Sequence, residues 1–287
     1  MHRRRLVRVP ASSANLGPGF DVLAAALGLH VEVEVEETGR FAVHTDLAIA
    51  RDRRNLCVRA FQSLHPVDDF EFTIRSAVPL AGGLGTSAAA YVAGLMAADS
   101  MFELDADLLA VATKLEGHPD NVSAALLGGF VVCAGPRAAR FDIPAGLEAI
   151  LVVPHKHLRT ARARAALPAQ VPMADAVHNV ARASMLVLGL ARGDWDLVAE
   201  GLHDRLHQPR RASLYPQSMA LLRRAQDLGA LGATISGAGP SVVFWTHYEA
   251  TGAVMGRLRP ATAGWARVMH VPFEPQGAFV RDLGLRD

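Results

Sequence analysis

Cysteine is nearly absent from this 287-residue chain: Cys57 and Cys133 are the only two, far apart and in no paired spacing. No disulfide framework or zinc site follows from such a pair, and a reducing cytoplasm is the expected setting. Lysine is just as scarce. Lys114 and Lys156 stand alone among 29 basic residues, so arginine carries nearly all the positive charge. With abundant alanine this bias reads as that of a GC-rich genome, and a single arginine counts as functional only where a motif frames it. Net charge is small too: the formal value of +1 creates no broad basic field of the kind nucleic-acid binding needs.

An apolar targeting segment is missing as well. The basic start is interrupted at once by Arg8 and Pro10, so no secretory leader is expected. The uncharged stretch from Ser76 to Ala98 has the length of a membrane span, but Pro79, Gly82, Gly83 and Gly85 break its first third and alanine dominates the rest. It reads instead as a strand end, a glycine loop and a helix.

What is present is a folding composition, with 51% hydrophobic and 20% charged residues. The length fits one large unit or two compact lobes. Val31-Glu32-Val33-Glu34-Val35-Glu36 alternates as a half-buried antiparallel strand does, and Phe70-Glu71-Phe72-Thr73-Ile74-Arg75 repeats the pattern before the glycine loop. Helices are expected over 87–98, 106–115, 174–191 and 218–228, and strands over 129–134, 149–153, 233–235 and 242–246, with a last strand at 267–271. Strands and helices do not keep the steady rhythm of a parallel doubly wound sheet, which favours an α+β class. A boundary falls near residue 150, giving units 1–150 and 151–287 that pack closely, since no Gly/Ser-rich linker separates them.

The richest segment is Pro79-Leu80-Ala81-Gly82-Gly83-Leu84-Gly85-Thr86-Ser87-Ala88-Ala89-Ala90. Its glycines let backbone N–H groups approach a phosphate, and the helix that follows offers free N–H groups and a positive dipole end to the same anion. No lysine follows as in a Walker loop, and the dinucleotide fingerprint spacing is absent. A structural turn is the alternative reading of the loop taken by itself.

Within it, Gly83-Leu84-Gly85-Thr86-Ser87-Ala88 resembles the glycine-loop motif of the GHMP small-molecule kinases, with Thr86 in place of a serine. Ala14-Asn15-Leu16-Gly17-Pro18-Gly19-Phe20-Asp21 is similar to the N-terminal motif of that family, and Ser236-Gly237-Ala238-Gly239-Pro240-Ser241 to its C-terminal glycine motif. The run Glu116-Gly117-His118-Pro119-Asp120-Asn121 resembles the homoserine-kinase branch. The resemblance implies an N-terminal ribosomal-protein-S5-like lobe, with a left-handed βαβ crossover, that binds ATP, and a ferredoxin-like C-terminal lobe. The implied reaction moves a phosphoryl group from ATP to the side-chain hydroxyl of L-homoserine, giving O-phospho-L-homoserine, with Mg²⁺ as cofactor and a homodimer as assembly. Another GHMP kinase, of mevalonate, sugar or shikimate type, or a non-catalytic nucleotide-binding relative is the alternative.

The same resemblance assigns roles. Residues 79–89, Pro79 to Ala89, would wrap the ATP phosphates, with Asn55 near the base. Ser87 and Glu116 would hold Mg²⁺, an ion that favours few protein ligands plus phosphate oxygens. A zwitterionic amino acid needs a cation and an anion, because burying either of its charges unpaired is costly. Asp21 and Asp120 are assigned to the ammonium, Asn15, His118, Thr160 and Gly237 to other polar contacts, and Arg164 and Arg211 to the carboxylate. These arginines lie in Thr160-Ala161-Arg162-Ala163-Arg164 and Asp204-Arg205-Leu206-His207-Gln208-Pro209-Arg210-Arg211, where Arg210 replaces a usual aromatic. Asn121 stands where many relatives place an aspartate base, and an amide cannot take a proton, so transfer is expected in line without an obligatory base. Asn121, Ser87, Glu116 and Arg164 are the expected catalytic group.

Overall fold

In the computed structural model, which describes residues 3–80, 82–156 and 160–284, the alternating segments build one large sheet. Strand β2 (Leu23–Glu37) is its spine. Val31, Val33 and Val35 are buried on one face while the intervening glutamates face out, the split that period-two alternation dictates. β1 (Arg4–Ala14) and β4 (Phe70–Ser76) flank it antiparallel, and β5 (Phe130–Ala134) pairs with its first residues and with β6 (Arg137–Phe141). β3 (Ala42–His44) runs parallel to β4, with helix α1 (Leu56–Gln62) in the connection.

Helix α2 (Thr86–Phe102) follows the glycine loop and is buried on nearly every side. Its small residues explain how: a Cβ on Gly94 would stand 2.1 Å from the Cys57 carbonyl oxygen, so α1 and α2 approach backbone to backbone only because glycine is there. A helix apolar all round belongs in a core or a bilayer. No helix among the described residues is long and apolar enough to cross a membrane. α3 (Leu108–Glu116), capped by Asp107 and ended by Gly117 in the left-handed region, and α4 (Asp120–Leu127) complete this layer.

The second sheet holds β7 (Leu147–Pro154), β8 (Gly232–Ile235), β9 (Val242–His247) and β10 (Ala266–Val271), in the order β10-β7-β9-β8 with every pair antiparallel. Between β7 and β8 come α5 (Thr160–Ala165), α6 (Met173–Arg192), α7 (Trp195–Gly201), a 3₁₀ turn at Pro209–Leu214 and α8 (Pro216–Arg223); α9 (Tyr248–Ala261) joins β9 to β10. This is the strand order of a ferredoxin-like lobe. Trp245 of β9, fully buried, lies with its ring centroid 5.8 Å from that of Phe130 on β5 and 5.1 Å from that of Phe273, so one aromatic cluster serves both sheets.

The α+β expectation holds, with three corrections. Residue 150 is not a boundary but lies inside β7, where Glu148 interrupts the apolar run and hid the strand's true start at Leu147. The strand at 267–271 is not the last: β11 (Phe279–Asp282) returns to pair with β1 in the first sheet, so residues numbered with the second lobe complete the first. The helix expected to reach 228 stops as α8 at Arg223 and gives way to turns. β1 itself had no sequence signal strong enough to be read, and Pro10 sits at its register shift.

Candidate active site

The glycine loop is held from three directions. Leu84 is buried beneath it, its carbonyl accepting from the Ser12 N–H at 3.2 Å, and Ser236 Oγ donates to the Gly83 carbonyl at 2.7 Å. Gly83 and Gly85 have φ of +77° and +65°. A Cβ on Gly83 would fall 2.3 Å from the Ser236 carbonyl oxygen, and one on Gly85 2.0 Å from Ser12 Oγ. Glycine is therefore required twice over, by conformation and by space. Gly85 opens α2 with no side-chain cap, which leaves first-turn amides of that helix for an anion.

At the end of α3 the Glu116 carboxylate reaches the start of α2, where Ser87 Oγ donates to Glu116 Oε1 at 2.5 Å. Burial pushes the Glu116 pKa above the usual carboxylate range, against the opposing effects of the Ser87 hydrogen bond and nearby His118. Beside it, His118 Nδ1 stands 3.1 Å from Asp120 Oδ1, which raises the His118 pKa; the same oxygen accepts from the Asn121 N–H at 2.7 Å. Asn121 Oδ1 in turn accepts from Ser12 Oγ at 2.8 Å. With its oxygen engaged, the Asn121 carboxamide is oriented with its NH₂ left to donate.

The opposite wall carries the arginines. Arg164 and Asp21 form a bidentate pair at 2.8 and 2.9 Å, which raises the Arg164 pKa. Asn15 Nδ2 donates to the Gly237 carbonyl at 2.9 Å while its Oδ1 accepts from the Asp21 N–H at 2.8 Å. Arg211 is buried, its Nε donating to the Ala163 carbonyl at 3.0 Å and Nη1 to that of Gly237 at 3.3 Å. Both guanidinium carbons lie near the Phe20 ring, 5.5 Å for Arg164 and 5.3 Å for Arg211.

A cleft of about 240 Å³ joins these walls, lined by Asn15, Asp21, residues 82–87, Glu116, His118, Asp120, Asn121, Thr160, Arg164, Arg211, Gly237 and Ala238. Next to it, sharing Thr86 and Ser87, opens an apolar cavity of about 300 Å³ between Val31, Leu47, Ile49, Asn55, Ile74 and Leu80. Every residue assigned to substrate thus reaches one cleft. Pro79, Ala88 and Ala89 line neither space, and the Ala89 N–H donates to the Gly85 carbonyl. Ala81 lies outside the described residues.

Two further assignments change in detail. Asn55 borders the apolar cavity, its Oδ1 capping α1 by accepting from the Cys57 N–H and its Nδ2 donating to the Ala50 carbonyl, so its amide is fixed in the wall with one N–H still to donate. Neither carboxylate meant for an ammonium is idle: Asp21 pairs with Arg164, and Asp120 is 1% exposed beside His118. Arg210, the departure from the motif, is exposed and reaches Asp175 at 3.5 Å, so the missing aromatic leaves no gap in the core.

Sequence reasoning missed the supports. Ser12, Ser13 and His207 are all fully buried, and His207 ties the two walls together. Its Nε2 donates to the Gly17 carbonyl at 2.7 Å, which leaves Nδ1 as acceptor for Arg211 Nη1 at 3.2 Å. Burial holds the His207 pKa below its ordinary value, in keeping with this neutral tautomer. Asp204, accepting from the N–H groups of Leu206, His207 and Gln208, sets the turn that carries it. The signal was available in the Asp204-to-Arg211 segment, but only Arg211 had been singled out there.

The family model described as "GHMP kinases N terminal domain" matches residues 53–129, and "GHMP kinases C terminal" matches 186–257. A homoserine kinase of Gloeobacter violaceus is 42% identical over 273 residues, covering 86% of this chain and 89% of that protein. One of Moorella thermoacetica is 38% identical over 254 residues, covering 83% and 86%. Among solved structures, a homoserine kinase from Cytophaga hutchinsonii superposes with a TM-score of 0.88 at 29% identity over 97% of this chain and 98% of that one. A mevalonate kinase shares the fold at a TM-score of 0.72 and 14% identity. With relatives this close along most of its length, the chain belongs to the homoserine kinases, within the GHMP kinase family.

Proposed function

We propose that the protein transfers the terminal phosphoryl group of ATP to the side-chain hydroxyl of L-homoserine, yielding O-phospho-L-homoserine for threonine synthesis. One observation carries this reading: a single cleft joins a glycine-locked phosphate cradle to a paired arginine and aspartate suited to the two charges of an amino acid. The apolar cavity beside Thr86 takes the base. On binding, the Arg164–Asp21 pair opens, the arginine turning to the substrate carboxylate and the aspartate to its ammonium, so that one ion pair becomes two. Arg211 completes the carboxylate site from a guanidinium already fixed by backbone carbonyls.

Phosphoryl transfer asks mainly for positioning and charge neutralisation. The loop amides and the α2 N-terminus hold the phosphates, and Asn121 donates from its NH₂ to orient the reacting oxygens; no side chain need act as a strong base. Ser87 and Glu116 present two hard oxygens within 2.5 Å of each other at the phosphate loop, a donor set that fits Mg²⁺, and these two residues would hold the ion. When bound, the ion neutralises charge on the phosphate oxygens. The buried, unpaired Cys57 and Cys133 support a cytoplasmic setting, and sedimentation tests the expected homodimer. The decisive assay offers Mg-ATP with a panel of hydroxylated metabolites and identifies the phosphorylated product by mass. Homoserine should dominate; preference for mevalonate, shikimate or a sugar would overturn the substrate, and no turnover with any of them would overturn the reaction.

A further inference from the structure

The 204–211 segment has two faces. Arg211 looks into the cleft, while Asp204, Arg205, Gln208 and Pro209 border a separate cavity of about 450 Å³ between α6, α7, α8 and β8. We propose that this second cavity is a binding site for a small organic anion with a short aliphatic body, and that its occupancy is felt by the substrate loop.

The charge on its walls is one-sided. Arg205 and Arg223 supply the cationic groups, burial holds the pKa values of His178 and His203 below the ordinary imidazole range, His203 Nδ1 donates to the Glu200 carbonyl, and Asp204 is the only carboxylate among the residues lining it. That carboxylate is fully buried and accepts from three backbone N–H groups and from Asn179 Nδ2, so it has nothing left for the cavity. Arg223 has no ion pair among the described residues, and Arg205 reaches Asp175 only at 4.0 Å. His178 Nε2 is buried without a hydrogen-bond partner. Two arginines and one unpartnered imidazole nitrogen around one space, with the single lining carboxylate already saturated, leave a site whose missing component is an anion. Leu202, Met219, Leu222 and Leu231 supply an apolar floor, so a bare inorganic ion would leave most of the volume unused.

Leu202 is also the link to the cleft. Its backbone carbonyl packs so close to Gly17 that a Cβ there would fall 2.7 Å from the oxygen, and its side chain packs equally tightly on Gly232 of the cavity wall. The Gly17 carbonyl accepts from His207, and the loop it belongs to carries Asn15 and Asp21. A ligand resting on Leu202 therefore bears on the loop that holds the proposed amino-acid site, and linkage makes the effect reciprocal.

The binding claim is independent of the proposed reaction; only the coupling rests on it. Calorimetry on the full chain, saturated with a non-hydrolysable ATP analogue, would titrate isovalerate, its neutral amide isovaleramide, and inorganic phosphate up to roughly 10 mM. Isovalerate should bind, the amide should not, and phosphate should bind more weakly. Arg223→Glu, an exposed substitution on α8, should weaken isovalerate at least about tenfold, while Arg164→Ala leaves it unchanged. No binding, equal binding of the amide, or loss with Arg164→Ala in place of Arg223→Glu would overturn the site. For coupling, saturating isovalerate should shift the homoserine KM by about fivefold in the wild type and not in Arg223→Glu. A KM unmoved at full occupancy would overturn the coupling and leave the site standing.

Discussion

The two walls of the cleft solve the same problem, holding charged oxygens, by opposite means. The phosphate side is backbone, held by glycines that no other residue can replace: at Gly83 and Gly85 the space for a Cβ is already filled by oxygen atoms. The amino-acid side is long side chain, held by relays: Arg164 on Asp21, Arg211 on His207 and two carbonyls, Asn15 on Gly237. A backbone cradle fails all at once when its shape is lost. A side-chain wall degrades one contact at a time, and this difference orders the expected effects of mutation.

The largest effect belongs to Gly83→Ala. The new methyl meets the Ser236 backbone within 2.3 Å at a φ of +77°, so the loop itself must move. A displacement near 1 Å is enough to cost two or more orders of magnitude, and kcat/KM for ATP should fall by roughly 1,000-fold while the far-ultraviolet dichroism persists. Activity within about threefold of wild type would show that the cradle relaxes as side chains do and would erase the contrast.

Next come the arginines. Arg164→Ala and Arg211→Ala should each lower kcat/KM for homoserine by about 30- to 300-fold with the ATP KM little changed. They should part in stability. Arg211 is 1% exposed and bonded to the Ala163 carbonyl and to His207 Nδ1, so its loss leaves those buried acceptors unpaired and lowers Tm; Arg164, 43% exposed at its side chain, should leave Tm unchanged.

The Ser87–Glu116 contact sits where the two walls meet, and pH separates its parts. Burial raises the Glu116 pKa, so the carboxylate needed beside the phosphates is lost, as pH falls, sooner than an ordinary glutamate would be. The acid limb of the kcat profile should therefore lie above the usual carboxylate range. The Ser87 hydrogen bond lowers that pKa, so Ser87→Ala should move the limb further up in pH, and Glu116→Gln should abolish it along with roughly tenfold of activity at saturating Mg²⁺. A limb that stays in place in both variants would take Glu116 out of the site.

His207→Gln should have a smaller effect, a rise of about three- to tenfold in homoserine KM with kcat nearly constant, because Arg211 loses an acceptor while the loop tie to Gly17 is kept by the amide. Leucine at this position should also lower kcat, since both ties go. This histidine lies inside the Asp204-to-Arg211 motif, yet the motif alone assigns a role only to Arg211. What was legible was what only one residue type can do: glycine at a left-handed turn, and charge where a zwitterion must be met. Supports such as Ser12, Ser13 and His207 are residues common anywhere in a fold, and only their burial across 100 or more positions of chain gives them meaning. The same holds for β11, four residues with two charges, Arg281 and Asp282, that read as a tail until β1 offers them an edge.

The smallest effect tests whether the arginine wall is a geometry or merely a field. Arg162 lies on the same short helix as Arg164, exposed and with no ion pair among the described residues, and two positions along a helix turn its side chain by about 200° away from the cleft. If position decides, Arg162→Ala should change homoserine kcat/KM by less than about threefold, as exposed charges do. Lysine at 164 should then rescue only part of the alanine loss, because an ammonium keeps the charge but not the planar fork that now meets Asp21 through two bonds. If charge alone decides, Arg164→Lys should be nearly wild type and Arg162→Ala should cost a similar share to Arg164→Ala. Both substitutions leave the phosphate side untouched, so the ATP KM serves as the internal reference.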